Sequence, residues 1–485
     1  MKFLRSTAVG RFAPPLAAAL LVAGCGGGGG STPAPPPPPP TANQAPTFTS
    51  AASVSVPENR AGTIYQAAAS DPERSPVTYS ISGGPDAGRF SLTSSGELGF
   101  VTPPNYDLPA DADLNNVYVV EIAASDGPNR TVQTVSVTVT NLKEGVKVLR
   151  VGTGFTNPVA ASALDDRSLL VAEKGGAIYA FDSATGARSL LVQIAPISGQ
   201  GVVAIAAAPD FATKGRFFVM YTNNGFLFVQ EYLRNPAGPT VPNFFGPTLT
   251  ISAPDYAGGG WLGFDTQGNL LIATGDAGGT GDPTGSAQSD SSSLGKIIQA
   301  TPNPDPFAGA SARFYFFSIV AKGLHQPVGG AVFGGGSLIG DRGQAVAEEV
   351  DFFATGASGI NFGWPYKEGF RTVQATSPAG LTDPVFDYAR SGAAVQGVVG
   401  GAIAGPAIPS IAGQYIFADR SGAIFGFPIS ALPNVRTLTE TRTADFAPDV
   451  GAIEQPVAVV SRGGLVFIVD ADGEIFRADP GDPAS

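Results

Sequence analysis

The chain of 485 residues has one histidine, His325, and one cysteine, Cys25, so it cannot form a disulfide bond within itself. Charged residues are also few, at 14% of the sequence, and the acidic ones prevail to give a net charge of −12. This balance argues against nucleic acid and anionic lipid surfaces as partners. Glycine and proline are abundant instead, with 64 and 42 residues. Such a composition suits a loop-rich all-β protein, and the length predicts more than one folded unit.

Residues 1–25 have the features of a bacterial export signal. Lys2 and Arg5 supply positive charge, and the apolar stretch that follows is too short to span a bilayer. It ends in Leu21-Val22-Ala23-Gly24-Cys25, which resembles a lipobox with Cys25 as the lipidated residue. The alternative is a plain secretory signal in which this cysteine is incidental. We therefore expect a lipid anchor that holds the protein at a membrane of the cell envelope, followed by a Gly/Pro-rich linker at 26–44.

The segment 45–143 is predicted to be an antiparallel β-sandwich, because short alternating apolar runs are separated by Gly, Pro and Asp turns. Pro57-Glu58-Asn59, Asp71-Pro72-Glu73 and Ala124-Ser125-Asp126-Gly127 resemble a bacterial cadherin-like repeat. Calcium takes roughly six to eight oxygen ligands. The resemblance implies that a calcium site at one pole of the sandwich is formed by Glu58, Asp71, Glu73, Asp107 and Asp126. Alternatively, these acids are ordinary turn residues, a role that Asp commonly takes without a metal.

The segment 147–480 consists of repeated strand-turn-strand units, such as Ser168–Ala172 with Ala177–Phe181. Units of about 40–55 residues that cannot bury their faces alone are typical of propeller blades. The length of the segment fits six such blades. We therefore predict an all-β protein, a cadherin-like β-sandwich followed by a six-bladed β-propeller.

Two glycine-rich loops in this segment carry a family resemblance. The first is Ala273-Thr274-Gly275-Asp276-Ala277-Gly278-Gly279-Thr280-Gly281-Asp282-Pro283. The second is Gly340-Asp341-Arg342-Gly343-Gln344, followed by Glu348-Glu349-Val350 and Asn361-Phe362-Gly363-Trp364-Pro365. Together they resemble the glucose/sorbosone dehydrogenase family, whose members are β-propellers that bind pyrroloquinoline quinone (PQQ) and calcium and oxidise sugars. The resemblance extends over the whole segment.

The resemblance also reveals substitutions at the pocket. Ala257 opens a segment, Ala257-Gly258-Gly259-Gly260-Trp261-Leu262-Gly263-Phe264, whose family counterpart begins with the histidine base. Leu324-His325-Gln326-Pro327 stands where the family has Leu-Arg-Asn-Pro. The resemblance implies that His325 and Gln326 face the cofactor, and His325 becomes the candidate replacement base. Arg342, which replaces a typically apolar residue of the family, is a further candidate for cofactor binding; it either faces the central cavity or is simply exposed. Alternatively, His325 only makes hydrogen bonds within its loop.

Asp276 and Asp282 are candidate calcium ligands, because carboxylates and accessible carbonyl groups of a glycine-rich loop suit this ion. Alternatively, they cap neighbouring backbone amides.

Two functions are compatible with these features. The first is a PQQ-dependent sugar or alcohol dehydrogenase of the cell envelope, with His325 or a carboxylate such as Asp255 as base. The second is a non-catalytic propeller that binds a glycan or a protein and is displayed by the calcium-binding sandwich.

Overall fold

The computed structural model describes residues 42–106, 109–142, 145–195, 197–235, 240–242, 248–303, 315–390, 397–436, 440–462 and 464–481. The predicted signal with Cys25, most of the linker and Asp107 lie outside these ranges. Within them nearly all regular structure is β-strand, which confirms the prediction of an all-β protein. None of the helices in these ranges combines the length and the apolar character of a membrane span.

The first unit consists of short strands that pack two sheets over one core. The strands are β1 (Thr47–Phe48), β2 (Ser53–Pro57), β3 (Thr63–Gln66), β4 (Ala69–Ser70), β5 (Thr78–Gly83), β6 (Phe90–Leu92), β7 (Glu97–Phe100), β8 (Val117–Ser125) and β9 (Arg130–Thr140). A 3₁₀ helix lies at Ala87–Arg89. One sheet has the order β2-β9-β8-β5, and the other has the order β3-β7-β6. Leu98 of the second sheet and Val120 and Val137 of the first are buried in one apolar cluster, so the two sheets pack face to face.

The second unit begins at β10 and continues to the last described strand. Its first half comprises β10 (Val146–Gly152), β11 (Pro158–Ala163), β12 (Ser168–Glu173), β13 (Ala177–Asp182), β14 (Ala187–Gln193), β15 (Val202–Ala207), the helix α1 (Phe211–Lys214), β16 (Arg216–Asn223), β17 (Phe226–Leu233), β18 (Val241–Pro242), β19 (Leu249–Ser252), β20 (Trp261–Phe264), β21 (Leu270–Thr274), β22 (Lys296–Pro302) and β23 (Tyr315–Lys322).

Its second half comprises β24 (Gln326–Phe333), β25 (Gly336–Arg342), β26 (Ala347–Ala354), β27 (Ile360–Asn361), β28 (Lys367–Glu368), β29 (Arg371–Thr372), β30 (Phe386–Ala389), β31 (Val398–Ile403), β32 (Gln414–Asp419), β33 (Ile424–Pro428), β34 (Glu440–Thr441), β35 (Pro456–Ser461), β36 (Val466–Asp470) and β37 (Ile475–Pro480). Short 3₁₀ helices lie at Pro409–Ile411 and Ile429–Ala431.

Apart from the hairpin of β28 and β29, the described strands of this unit form six sheets. Sheet I has the order β11-β12-β13-β14, sheet II β15-β16-β17-β18 with β19 beside β17, and sheet III β20-β21-β22-β23-β27. Sheet IV has the order β24-β25-β26-β30, sheet V β31-β32-β33-β34, and sheet VI β35-β36-β37-β10. Strand β10, at the start of the unit, pairs antiparallel with β37 at its end, so the last sheet is completed by the first strand.

The first strands of the six sheets contact each other in a closed cycle, β11-β15-β20-β24-β31-β35 and back to β11. They line a central cavity of about 380 Å³. Small residues permit this close approach: a Cβ atom on Gly400, whose φ is +82°, would lie 2.4–2.6 Å from the backbone of Gly329. The arrangement is β-propeller-like.

Three connections meet at one end of sheets III and IV. They are residues 323–325 before β24, residues 275–295 between β21 and β22, and residues 343–346 between β25 and β26. In an antiparallel sheet, the start of the first strand and the link from the second strand to the third lie at the same end. The two glycine-rich loops and His325 are therefore brought together by topology.

Candidate functional site

The carboxylate of Asp341 fixes the segment that carries the histidine. Its Oδ2 accepts a hydrogen bond from the backbone N–H of His325 at 2.9 Å, and its Oδ1 accepts one from Gln326 at 2.5 Å. Asp341 is buried, and burial raises its pKa to about 7 against the opposing effects of His325 and these two N–H groups. The start of β24 is thereby tied to the end of β25.

The imidazole of His325 has one nitrogen committed to the backbone. Its Nδ1 lies 2.6 Å from the carbonyl oxygen of Arg342. A carbonyl oxygen only accepts hydrogen bonds, so in the neutral ring Nδ1 carries the proton and Nε2 keeps its lone pair. The ring also packs on Trp364, with 4.3 Å between the ring centroids. His325 therefore has a defined orientation and a basic atom at Nε2.

Asp276 of the first glycine-rich loop connects to the same histidine. Its backbone N–H donates to the carbonyl oxygen of His325 at 3.1 Å. Its Oδ2 accepts from Trp364 Nε1 at 2.7 Å, and its Oδ1 accepts from the N–H of Gly278 at 2.8 Å. Burial raises the pKa of Asp276, and His325 and Trp364 act in the opposite direction. A carboxyl group, an indole and an imidazole are thus in contact.

Asp282, the second acid of this loop, caps a turn. Its two carboxylate oxygens accept the N–H groups of Ser286 and Ala287, each at 2.9 Å. The carboxylates of both Asp276 and Asp282 therefore accept backbone hydrogen bonds, as in the amide-capping alternative. Calcium binding by these two residues stays a prediction.

Ala257 lies beside the histidine segment. The side-chain Nε2 of Gln326 donates to the carbonyl oxygen of Ala257 at 2.5 Å. The N–H of Ala257 donates in turn to Ala277 of the glycine-rich loop at 2.9 Å. The position that lacks the family's histidine is therefore one hydrogen bond from the residue that follows His325. The amide of Gln326 is used in this contact.

Gln344 joins the two glycine-rich loops. Its Oε1 accepts from the N–H of Gly281 at 3.1 Å, and its Nε2 donates to the carbonyl oxygen of Gly279 at 2.9 Å. A single amide side chain thus satisfies one donor and one acceptor of the facing loop. The glutamine of the second loop motif holds the first loop beside the site.

Arginine side chains give one side of the site a positive charge. Arg342 is half-buried, and its Nε donates to the carbonyl oxygen of Val398 at 2.8 Å. Burial lowers the pKa of Arg342 to about 10, and Arg420 adds to the lowering, whereas Glu348 and Asp419 oppose it. The Nε of Arg420 is buried and has no hydrogen-bond partner among the described residues. This side of the site is suited to an anion.

The sequence analysis missed a group of three carboxyls beneath the histidine segment. One oxygen each of Asp341, Glu349 and Asp351 lies within 4.8 Å of the others, and all three residues are buried. In the part of the chain that the structure describes, this is the only such group of three acids, cysteines or histidines. Burial raises the pKa of both Glu349 and Asp351 well above the usual range, and neighbouring carboxyls add to the rise.

Hydrogen bonds in this carboxyl group are incomplete. Glu349 accepts from the N–H of Gly369 at 2.7 Å. Both oxygens of Asp351 are buried without a hydrogen-bond partner in the described ranges. The only sequence signal was the alternation of Glu349 and Asp351 on one face of a strand, with Asp341 paired opposite Glu349.

The acids of the first unit are distributed differently. Glu58 is buried and accepts the N–H groups of Tyr106 at 2.7 Å and Leu142 at 2.8 Å. Three others also accept backbone N–H groups: Asp71 from Ser75, Glu73 from Gln44, and Asp126 from Asn129. Glu58 lies beside Thr140 at the end of β9, whereas Asp126 precedes the start of that strand at Arg130, so these two acids do not share one pole as predicted. Asp107 lies outside the described residues, and calcium binding by the individual acids stays a prediction.

Known proteins resemble the second unit in structure. The PQQ-bound aldose sugar dehydrogenase of Streptomyces coelicolor is 22% identical, with a TM-score of 0.53, and the match covers 70% of this chain and 99% of that one. The putative oxidoreductase (glucose dehydrogenase) of Thermus thermophilus is 23% identical, with a TM-score of 0.51, and the match covers 69% of this chain and 100% of that one. At these identities the likeness establishes the fold.

The sequence profile of glucose/sorbosone dehydrogenases matches residues 155–419, which is more than half of the 485-residue chain. The matched range includes both glycine-rich loops, His325 and the group of three carboxyls. The chain therefore belongs to the glucose/sorbosone dehydrogenase family.

Proposed function

We propose that this protein is a PQQ-dependent dehydrogenase of sugars or related alcohols in which His325 replaces the usual base. The observation that carries the proposal is the contact between His325 Nδ1 and the carbonyl oxygen of Arg342. It leaves Nε2 as the basic atom. Ala257, which stands in place of the family's histidine, accepts a hydrogen bond from the next residue, Gln326. A well-placed general base contributes roughly 10²–10⁴-fold to a rate.

The residues present fit an anionic quinone. PQQ bears three carboxylates, and the donors suited to them are the half-buried Arg342 and the Nε of Arg420, which has no hydrogen-bond partner among the residues that the structure describes. A bound carboxylate would also offset the effects of burial and of the neighbouring Arg420, which lower the pKa of Arg342. We therefore infer that Arg342 and Arg420 hold the cofactor's acidic groups, in place of the arginine missing before Pro327.

The reaction needs a hydride acceptor and a proton acceptor. When bound, PQQ supplies the acceptor for the hydride that leaves the carbinol carbon of the substrate. His325 takes the hydroxyl proton at Nε2, and the substrate leaves as the carbonyl compound. His325 acts to lower the pKa of Asp276 and of Asp341, against the effect of their burial, so the three groups are electrostatically linked. Trp364 fixes the plane of the ring.

We also propose that calcium binds the group of three carboxyls. Calcium prefers oxygen ligands, and three buried carboxyls within 4.8 Å offer them without a nitrogen or sulfur donor. The charges that act on Glu349 come from Asp351, Asp341 and Glu368, all of which are acidic. A divalent cation would offset their repulsion and complete the coordination of Asp351.

The remaining parts of the proposal concern architecture and location. We propose that the six sheets are the six blades of one propeller, a view supported by the closed cycle of first strands. We further propose that the first unit is a cadherin-like, calcium-binding module and that Cys25 carries the lipid anchor. These parts would hold the dehydrogenase at the surface of a membrane in the cell envelope.

A binding propeller is the alternative function. The observation that favours it is the amide of Gln326, which is engaged with the carbonyl oxygen of Ala257. At the family's Arg-Asn position, this chain thus uses both side chains for internal contacts, His325 with Arg342 and Gln326 with Ala257. The ligand of such a propeller would be a glycan or a protein.

The test is a titration of the whole chain with PQQ in the presence of calcium, followed by addition of aldoses. We expect saturable binding and bleaching of the quinone absorbance when sugar is added. His325→Gln should retain PQQ binding and lose about 10²–10⁴-fold in rate. Absence of binding at micromolar PQQ would favour the binding propeller, and an unchanged rate in His325→Gln would remove the histidine from the mechanism.

A further inference from the structure

Lys296, at the start of β22, is fully buried in a cage of backbone oxygens. Its Nζ donates to the carbonyl oxygens of Ser286 at 2.7 Å, Ala287 at 3.0 Å and Leu294 at 2.7 Å. An ammonium group has three hydrogens, so the three carbonyls match its donors. Burial lowers the pKa of Lys296 to about 8. The cage therefore resembles a small cation site that is filled by the chain's own side chain.

The same short segment is held from its other side by Asp282. The carboxylate accepts the N–H groups of Ser286 and Ala287, whose carbonyl groups receive the ammonium of Lys296. An anion on the donor side and a cation on the acceptor side both favour the alignment of these peptide dipoles. The loop is thus fixed at residues 286 and 287 by two opposite charges.

The next residue, Gln288, connects this loop to the candidate site. Gln288 donates from Nε2 to the backbone oxygen of Trp364 at 2.6 Å and exchanges hydrogen bonds with Asn361 at 2.8 Å and 3.0 Å. Trp364 in turn donates to Asp276 and packs on His325. A continuous path of contacts therefore leads from the buried ammonium to the candidate base.

We propose that Lys296 is a positioning residue: its ammonium acts as an internal cation that fixes residues 286–288 and, through Gln288, the placement of Trp364 against His325. The importance of this placement for catalysis rests on the proposed function, whereas the placement itself does not. A lysine that only filled space would be replaceable by an uncharged side chain of similar length. The two roles can be separated without PQQ.

The experiment uses the only two tryptophans of the chain. In a Trp261→Phe background, Trp364 is the sole indole and its fluorescence reports its environment. Lys296→Met should shift the emission to longer wavelength and raise amide exchange at residues 286–288 by about tenfold. Lys296→Ala should do the same, and n-propylammonium, which replaces the missing atoms, should restore both signals. 1-Propanol, of similar size but uncharged, should not restore them.

A second variant tests the path beyond the lysine. Gln288→Leu should shift the emission of Trp364 while exchange at residues 286 and 287 remains as in the parent protein. This variant keeps the experiment decisive even where the lysine variants fold poorly. The proposal is wrong if Lys296→Met leaves both signals unchanged, if propanol restores them as well as propylammonium does, or if Gln288→Leu has no effect on the indole. Since no readout involves PQQ, failure here leaves the dehydrogenase proposal standing.

Discussion

Acidic residues in the first unit and in sheet IV have opposite surroundings. In the first unit, Glu58 receives one backbone N–H on each carboxylate oxygen at the end of β9, and Asp126 receives one from Asn129 at the opposite end of that strand. In sheet IV, Glu349 and Asp351 lie within 4.8 Å of each other and of Asp341, and neither oxygen of Asp351 has a hydrogen-bond partner among the described residues. Acidic clusters that look alike in the sequence thus differ in what faces each carboxylate.

This difference distinguishes an acidic residue with a structural role from one that binds an ion. Backbone N–H groups stabilise the ionised form and leave little need for a metal. Carboxyls that face each other in a buried place repel, and they require a proton or a cation. Asp71 lies between the two cases, since one oxygen accepts from Ser75 and the other is buried without a partner in the described ranges. Four predictions test the distinction.

The largest effect is expected at Glu58. Glu58→Ala leaves the part-buried N–H groups of Tyr106 and Leu142 without this acceptor, and each orphaned group costs about 1–3 kcal/mol. We expect the free energy of unfolding of the first unit to fall by about 4 kcal/mol, measured by urea denaturation. The exposed Glu73 is the control, and Glu73→Ala should leave the transition nearly unchanged. Similar losses in both variants would contradict the structural role of Glu58.

The second prediction concerns the pH dependence of the calcium-free protein. Burial raises the pKa of Asp341 to about 7, so the folded state binds this proton more tightly than the unfolded chain. The stability that this bound proton contributes is fully present below the usual pKa of an aspartate. It is lost as the pH rises through 7. We expect the free energy of unfolding in EDTA to fall by about 3 kcal/mol between pH 5 and pH 8. A constant or rising stability over this range would contradict the arrangement.

The third prediction is that calcium reverses this loss. At a free concentration one hundred times the dissociation constant, a ligand that binds only the folded state adds about 2.7 kcal/mol. We expect calcium at pH 8 to raise the thermal midpoint of the second unit and Asp351→Asn to weaken the effect. Glu73→Gln, at the pole of the first unit, is the matched control and should keep this increase. An equal calcium response in the Asp351 variant would place the ion elsewhere.

Part of this architecture could be predicted from the sequence. Alternating apolar residues and turns indicated the strands, and the order of the two loop motifs indicated that His325, Arg342 and Asp276 share a site. The burial of Lys296 could not be predicted, because its cage is made of backbone oxygens contributed by a loop. The contact of Trp364 with His325 could not be predicted either, since it depends on how the long connection between β26 and β30 packs against the segment before β24.

The group of three carboxyls could not be predicted from the sequence either. The pairing of Asp341 with Glu349 depends on the register between β25 and β26, which is set by the length of their connection. Whether Asp351 meets a donor depends on the side chains and backbone packed over that face. A sequence pattern gives the face on which a residue lies and leaves its partners open.

The smallest expected effect gives the most discriminating test. The same substitution, Asp to Asn, should lower the stability at one position of the second unit and raise it at another. Asp282 accepts two backbone N–H groups, and an asparagine there presents a donor to one of them. Asp282→Asn should therefore destabilise the calcium-free protein at pH 8 by about 1 kcal/mol, as the loss of a capping group does. Asp351→Asn should stabilise it by about 1 kcal/mol under the same conditions, because it removes one of three facing charges.

Thermal and urea unfolding of the two variants in EDTA, side by side with the parent protein, measure both signs in one experiment. Matched destabilisation at both positions would mean that Asp351 has a favourable partner in the folded state, and the ion-binding interpretation of sheet IV would then lose its basis. Stability changes of opposite sign in the two variants would establish that the acidic residue at position 351 destabilises the calcium-free protein. A turn-capping role cannot explain such an effect. Addition of calcium should then reverse the order of Asp351→Asn and the parent protein, while Asp282→Asn remains below the parent in both conditions.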